Sequence, residues 1–182
     1  MPRPLRARRL VGIALVALLM LGACGEGGAS NASAAPGQPG SAIVVKVVDG
    51  DTIRVRFSGR STQESVRLIG IDTPETHGPG GLRECFGREA TARTTALVPP
   101  GTAVRLVRDA EARDRYARLL AYVYRKHDGL FVNLTLAREG FAAPLSIPPN
   151  IAHSAEFVDA AGDARDAGLG LWGKCGGPDK AL

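Results

Sequence analysis

Residues 43–57 read Ile43-Val44-Val45-Lys46-Val47-Val48-Asp49-Gly50-Asp51-Thr52-Ile53-Arg54-Val55-Arg56-Phe57. The first six are almost continuously apolar. After Asp49-Gly50-Asp51 the chain alternates, with Ile53, Val55 and Phe57 on one side and Arg54 and Arg56 on the other. Successive side chains of a strand point to opposite faces, so this alternation predicts a half-buried strand, and two such runs about a short turn predict a hairpin. Asp-Gly is a favoured two-residue hairpin connection, which accounts for Asp49 and Gly50 by turn chemistry alone. Asp51 enters the second strand, where it either finishes the turn or presents a carboxylate to a site.

Outward from the hairpin, a second turn at Ser58-Gly59-Arg60 leads into Val66-Arg67-Leu68-Ile69, and short apolar runs at 103–106 and 119–124 bring the number of predicted strands to five. Helix-forming segments lie between and after them. Residues 86–98 are stopped by Pro99-Pro100, residues 132–139 by Gly140, and the alanine-rich 153–167 by Gly168. Short strands first and helices interleaved later predict an α+β domain built on a small closed or half-closed barrel. No internal repeat and no metal-finger spacing is present.

Two further clusters stand out. In Arg67-Leu68-Ile69-Gly70-Ile71-Asp72-Thr73-Pro74-Glu75 an apolar strand carries one arginine and ends in two carboxylates three residues apart. Pro74 fixes its own φ and biases Thr73 towards an extended conformation, so Asp72 and Glu75 sit on a stiff turn. A helix cap would be the other use for Glu75, but Gly78, Pro79, Gly80 and Gly81 follow it. The other cluster, Arg113-Asp114-Arg115-Tyr116-Ala117-Arg118, precedes the last strand and by composition alone reads as a solvated loop.

Taken together, the clusters resemble one pattern. Val48-Asp49-Gly50-Asp51-Thr52, the segment Arg67 to Glu75, Phe86-Gly87-Arg88-Glu89-Ala90, Asp114-Arg115-Tyr116-Ala117-Arg118 and Gly168-Leu169-Gly170-Leu171-Trp172 are similar, in order, to strings of the staphylococcal nuclease (thermonuclease) family, over about Ile43 to Trp172. The resemblance implies an α+β fold with a five-stranded oligonucleotide-binding (OB-fold) barrel and three α-helices, and cleavage of phosphodiesters in DNA and RNA to 3′-phosphate products. It assigns Arg67 and Arg118 to the phosphate. Guanidinium suits that role because its planar fork pairs two oxygens at once, and lysine would be a poor substitute. It further implies Ca2+ held by Asp51, Asp72 and the backbone carbonyl of Thr73, with Glu75 as general base and Tyr116 near the substrate phosphate. All-oxygen ligation is what calcium prefers, and the scattered His77, His127 and His153 offer no zinc spacing. Asp49 fits a place in the turn behind Asp51.

Two departures from the family pattern bear on substrate binding. Ala117 stands where the family commonly has glycine, which adds strain if that backbone is left-handed. The loop Ala142 to Asn150 lacks the tyrosines that stack on a base in the best-known member, so weaker or differently shaped base preference is expected. A barrel that only binds nucleic acid is the alternative reading, since many barrels of this kind do no chemistry. The complete set Asp51, Arg67, Asp72, Glu75 and Arg118 argues for the enzyme, because a polyanion binder has no use for acidic residues facing its ligand. A surface lipoprotein making protein contacts draws only on the N-terminal features.

At the N-terminus, Arg3, Arg6, Arg8 and Arg9 precede the uncharged apolar run Leu10 to Leu21, the order of a secretory signal, and the run is short for a bilayer span. Leu21-Gly22-Ala23-Cys24 resembles a lipobox, so residues 1–23 are expected to be a signal peptide and Cys24 to be lipidated, anchoring the chain to a membrane. Ordinary cleavage and secretion is the other outcome. Residues 24–41 are then a lipidated tether rich in Gly, Ala, Ser and Pro, residues 42–176 the domain, and 177–182 a tail. Cys85 and Cys175 remain as an even pair in an oxidising compartment and are expected to be disulfide-bonded; two reduced, buried cysteines are the alternative. Positive charge concentrates in the middle of the chain, where 46–138 holds 16 basic against 11 acidic residues, as a phosphate-binding surface would. Nothing points to a protein partner, and a monomer is the default.

Overall fold

In the computed structural model, residues 40–76 and 83–181 are described. The hairpin opens a barrel of β1 (Gly40–Val47), β2 (Thr52–Phe57), β3 (Gln63–Leu68), β5 (Ala103–Val107) and β6 (Leu119–Arg125), closed in the order β1-β2-β3-β6-β5 with β5 returning to β1. All neighbours are antiparallel except β3 and β6, which pair in parallel with Arg67 beside Leu120. The period-two alternation does what it predicts. Val44, Ile53, Val55, Val66, Leu68, Val104 and Val123 point inward and are fully buried, while Arg54 and Arg56 stand outside. Burying an aliphatic side chain of this size contributes about 1.5–3 kcal/mol.

The helices are α1 (Gly87–Leu97), α2 (Val132–Arg138), α3 (Ser154–Asp166) and α4 (Gly170–Cys175). The first three lie where the sequence places them; α4 corrects the expected total of three among the described residues. Two short strands also go beyond the expected five: β4 (Gly70–Asp72) pairs with β7 (Ala143–Leu145) outside the barrel. The domain limits shift as well. β1 begins at Gly40, so the last two residues assigned to the tether form barrel pairs with β5. The segment assigned to the tail binds the domain, with Ala181 bridging Glu84 and the Lys180 carbonyl accepting from the Cys85 N–H at 2.7 Å. The expected disulfide joins Cys85 to Cys175 with their Cα atoms 6.0 Å apart. The signal peptide, Cys24 and most of the tether lie outside the described residues.

Two packing devices fix the end of β3, where the clustered residues lie. Gly70 is left-handed (φ 84), and a Cβ there would meet Phe157 Cζ of α3 at 2.9 Å. Only glycine both turns the chain out of β3 and admits that ring. Asn133 of α2, wholly buried, accepts from the Val123 N–H at 2.9 Å and donates to the Ile69 carbonyl at 2.9 Å. An unpaired buried amide would cost about 1–3 kcal/mol, so these bonds tie α2 to this junction.

Candidate active site

The turn between β1 and β2 is not the two-residue Asp-Gly connection expected. The last ladder pair is Val47 with Ile53, and the N–H groups of Val48 and Asp49 both donate to the Thr52 carbonyl, at 2.8 and 3.3 Å. Gly50 is needed for close approach instead: a Cβ there would stand 2.7 Å from the Thr73 Cβ. Its carbonyl accepts from the Thr94 hydroxyl of α1 at 2.5 Å, and Asp49 accepts from the Asp51 N–H at 3.2 Å. The turn is therefore pressed onto the segment 72–75 and delivers Asp51 there.

Asp51 is 3% exposed, and its Oδ2 accepts from both the N–H and the hydroxyl of Thr73, at 3.0 and 3.1 Å. Its Oδ1 accepts from the Thr52 hydroxyl at 3.2 Å and is ion-paired with Arg67. Arg67 donates with its other terminal nitrogen to Asp72 Oδ1 at 2.7 Å and to the Ile71 carbonyl at 3.2 Å. One guanidinium thus joins the two aspartates on which the chemistry was expected to centre. Asp72 is set by β4, where it pairs with Ala143 of β7.

Glu75 is half-buried, and its backbone is gripped from both ends by Glu84. Its N–H donates to Glu84 Oε2 at 2.8 Å, and its carbonyl accepts from the Glu84 N–H at 2.9 Å. The first residue of α1 packs against the same carbonyl, since a Cβ on Gly87 would lie 2.8 Å from it. Burial raises the Glu75 carboxyl above its usual value, with Asp49, Asp72 and Glu84 adding to the rise and Arg67 opposing it. Asp49 is raised in the same way by burial, against the pull of Thr52, Arg67 and Arg118. These groups form one electrostatic unit with more carboxylates than guanidinium groups.

Arg118 reaches the site from the loop that reads as solvated. Asp114 organises that loop: its carboxylate accepts from the Tyr116 N–H and the Arg118 N–H, each at 2.9 Å, and from Arg118 Nε at 2.7 Å. Those bonds hold Asp114 below the ordinary carboxylate range despite its burial. The two terminal nitrogens of Arg118 take no protein acceptor among the described residues. Tyr116 is 64% exposed, with its ring centre 5.5 Å from the Arg118 guanidinium. Arg67, Arg118 and Tyr116 line one cleft of about 490 Å3, whose apolar lip includes Leu145 and Ile147 from the loop without tyrosines.

Ala117 is left-handed (φ 62), so the strain foreseen for this position is present. The conformation costs an L residue about 1–2 kcal/mol. Ala117→Gly is therefore expected to raise stability by about 0.5–1 kcal/mol, the gain being reduced by glycine's greater freedom when unfolded. Urea unfolding of both proteins checks this; a less stable variant would show that the loop relieves the strain elsewhere.

Among the described residues, no three Asp, Glu, His or Cys side chains converge as a ready-made metal cage. The donor chemistry nonetheless fits a hard cation. Asp51, Asp72 and the Thr73 carbonyl offer oxygen only, and burial already raises Asp49 and Glu75, with repulsion from Asp49, Asp72 and Glu84 adding to the rise at Glu75, as expected of an acidic site that a cation would stabilise. The residues that sequence reading missed act through these: Thr73 by its side chain, Asp114 behind Arg118, Glu84 behind Glu75. Their partners lie across turns that no local pattern discloses.

The family model described as staphylococcal nuclease homologue matches residues 65–174. The chain is 39% identical over 132 residues to the thermonuclease of Staphylococcus intermedius, covering 72% of this chain and 76% of that protein. It is 37% identical to the SPbeta prophage-derived endonuclease YokF and 36% identical to endonuclease YncB, both of Bacillus subtilis (strain 168), each over 132 residues and 72% of this chain. It spans 43% and 61% of the length of those two relatives. The chain belongs to the staphylococcal nuclease family.

Proposed function

We propose that this protein is a calcium-dependent nuclease that hydrolyses phosphodiester bonds of DNA and RNA, acting outside the cytoplasm. The observation that carries the proposal is the meeting of Arg67 with Asp51 and Asp72, within electrostatic reach of Glu75, and the cleft that Arg67 lines together with Arg118. Relatives named thermonuclease and endonuclease support the same reading. A phosphodiester attacked by water gains negative charge at phosphorus in the transition state, so fixed positive groups must stand where that charge develops. Arg118 is held at Nε by Asp114, which leaves its terminal nitrogens for two phosphate oxygens. Arg67 is held on its two aspartates and serves as the second fixed cation. Glu75 accepts the proton of the attacking water. Asp51, Asp72 and the Thr73 carbonyl would hold Ca2+, which when bound supplies further positive charge at the phosphate.

Export rests on the arginine and apolar pattern before Cys24 together with the disulfide, a bond that persists in oxidising compartments. Lipidation of Cys24 would keep the enzyme at the membrane. Hydrolysis of single- and double-stranded DNA and of RNA by the purified protein, with calcium and with excess chelator, tests the function. Cleavage that requires calcium is the expected outcome. Tight binding without cleavage under any divalent metal would make the protein a nucleic-acid-binding barrel instead.

A further inference from the structure

The segment before β6 is a hairpin in its own right. The Leu120 N–H donates to the Ala112 carbonyl at 3.0 Å, Arg113 bridges Leu119, and the Asp114 N–H donates to the Arg118 carbonyl at 3.1 Å. The Asp114 carbonyl accepts from the Ala117 N–H at 3.0 Å, so Arg115, Tyr116 and Ala117 form a three-residue loop. Loops of this kind end on a left-handed residue, the place that Ala117 takes (φ 62) and that glycine suits best. Arg118 follows directly, so whatever sets the backbone at Ala117 sets the direction in which the Arg118 side chain leaves the hairpin.

The peptide unit between Ala117 and Arg118 is held at both ends. Its N–H donates to Asp114 Oδ1 at 2.9 Å, and its carbonyl accepts from Arg113 Nη1 at 2.7 Å. The same Nη1 donates to Glu64 Oε2 of β3 at 3.0 Å. β3 also carries Arg67, three residues on, and pairs in parallel with β6 beside this hairpin. One nitrogen therefore ties the peptide that precedes the Arg118 side chain to the strand that carries Arg67, the other arginine of the site. The cleft wall at this hairpin is formed by Asp114, Arg115, Tyr116 and Arg118, without Arg113. The Arg113–Glu64 pair is part-exposed, 44% and 24% at the side chains, and pairs of that kind add little to global stability. Its place on a strained turn, next to an arginine of the site, gives it a local use instead.

We propose that Arg113, held by Glu64, is a positioning residue for the reaction: it fixes the peptide between Ala117 and Arg118 and so sets how Arg118 is presented to the cleft. The proposal rests on the nuclease reading and adds to it a residue that touches no substrate. Removing the Arg113 bond frees the Ala117 carbonyl, and Ala117 can then leave the left-handed region, which an L residue disfavours. Arg118 would turn with the rotated peptide. A misplacement of about 1 Å at a group that positions the reaction can cost about a hundredfold in rate, so even a partial loosening is visible in kcat.

The test is steady-state cleavage of single-stranded DNA by Arg113→Ala, Arg113→Lys and Arg113→Ala/Ala117→Gly, with a thermal melt of each and amide hydrogen exchange at Arg118. Arg113→Ala should lower kcat about tenfold with KM nearly unchanged, melt within about 3 °C of the unmodified protein, and exchange the Arg118 amide about tenfold faster. Arg113→Lys should keep most of kcat, because a single nitrogen makes both bonds and an ammonium can take its place. Adding Ala117→Gly to Arg113→Ala should restore most of the loss, since glycine holds the left-handed conformation without the clamp. Glu64→Ala should lower kcat in the same direction and add nothing in the Arg113→Ala background, as members of one chain of contacts do. An unchanged kcat in Arg113→Ala would overturn the proposal, as would a rise in KM alone, which would make Arg113 a substrate contact, or a loss that Ala117→Gly does not relieve. Failure of the nuclease reading shows separately, as absence of cleavage in the unmodified protein, while exchange at the Arg118 amide still decides the clamp.

Discussion

Glu75→Gln is expected to lower kcat by about 10²–10⁴-fold, with little change in KM. Glutamine has the same shape and leaves both backbone bonds to Glu84 in place, at 2.8 and 2.9 Å, so the segment from Asp72 to Glu75 should keep its conformation. What it loses is the ability to accept a proton. Stability should hold or rise slightly, because burial already raises the carboxyl and Asp49, Asp72 and Glu84 repel it. The sign of the pH dependence follows. A carboxyl raised above its usual value is protonated earlier as pH falls, so the acid limb of the rate profile should lie above that of an ordinary glutamate and should vanish in the variant. Steady-state kinetics and a thermal melt of the same preparations separate the two effects. A variant with full turnover would place the proton acceptor elsewhere, and one that loses both turnover and folding would show that Glu75 is structural.

Residues 43–57 disclosed the start of the barrel because a buried strand with one solvated face writes its geometry into alternate residues, as Ile53, Arg54, Val55 and Arg56 do. Closure was less legible. Pairing of β1 with β5 and the parallel contact of β3 with β6 join residues far apart in the chain, and no local period records such partners. β4 and β7 have three residues each, too few for any period to show. α4 escaped notice because Gly170 and Gly173 are poor helix formers. It is held by tertiary contact, with the Leu171 N–H donating to the Gly140 carbonyl at 2.8 Å. At the site, family likeness placed Asp51, Arg67, Asp72, Glu75 and Arg118 side by side in order. The supports Thr73, Glu84 and Asp114 became visible only in three dimensions, because their roles depend on which backbone groups they meet. Gly50 shows the same limit. Turn chemistry explained its presence by the wrong cause, since it is there to admit Thr73.

Removing the disulfide, as Cys85→Ser with Cys175→Ser, is expected to cost about 4 kcal/mol, the scale for a cross-link that closes a long loop; 90 residues separate the two cysteines. For a domain of this size that is a melting temperature lower by roughly 10 °C. A second effect should appear below the new melting temperature. Cys85 follows Glu84, whose side chain and N–H hold both backbone groups of Glu75, and Phe86 is left-handed (φ 74), a conformation that persists only where its surroundings over-determine it. Those surroundings are the disulfide, the Lys180 carbonyl on the Cys85 N–H and the Ala181 bridge to Glu84. Without the cross-link the segment can relax and Glu75 is less firmly placed, so kcat should fall about tenfold, equivalent to about 1.4 kcal/mol of lost transition-state stabilisation. KM should change little, because Arg67 and Arg118 are held by Asp51, Asp72 and Asp114, which do not touch this segment. Glu84→Ala should reproduce the loss in kcat with the disulfide intact, and Glu84→Gln, which keeps an acceptor for the Glu75 N–H, should restore most of it. A doubly substituted protein that melts earlier yet turns over normally would leave the disulfide with stability alone as its role.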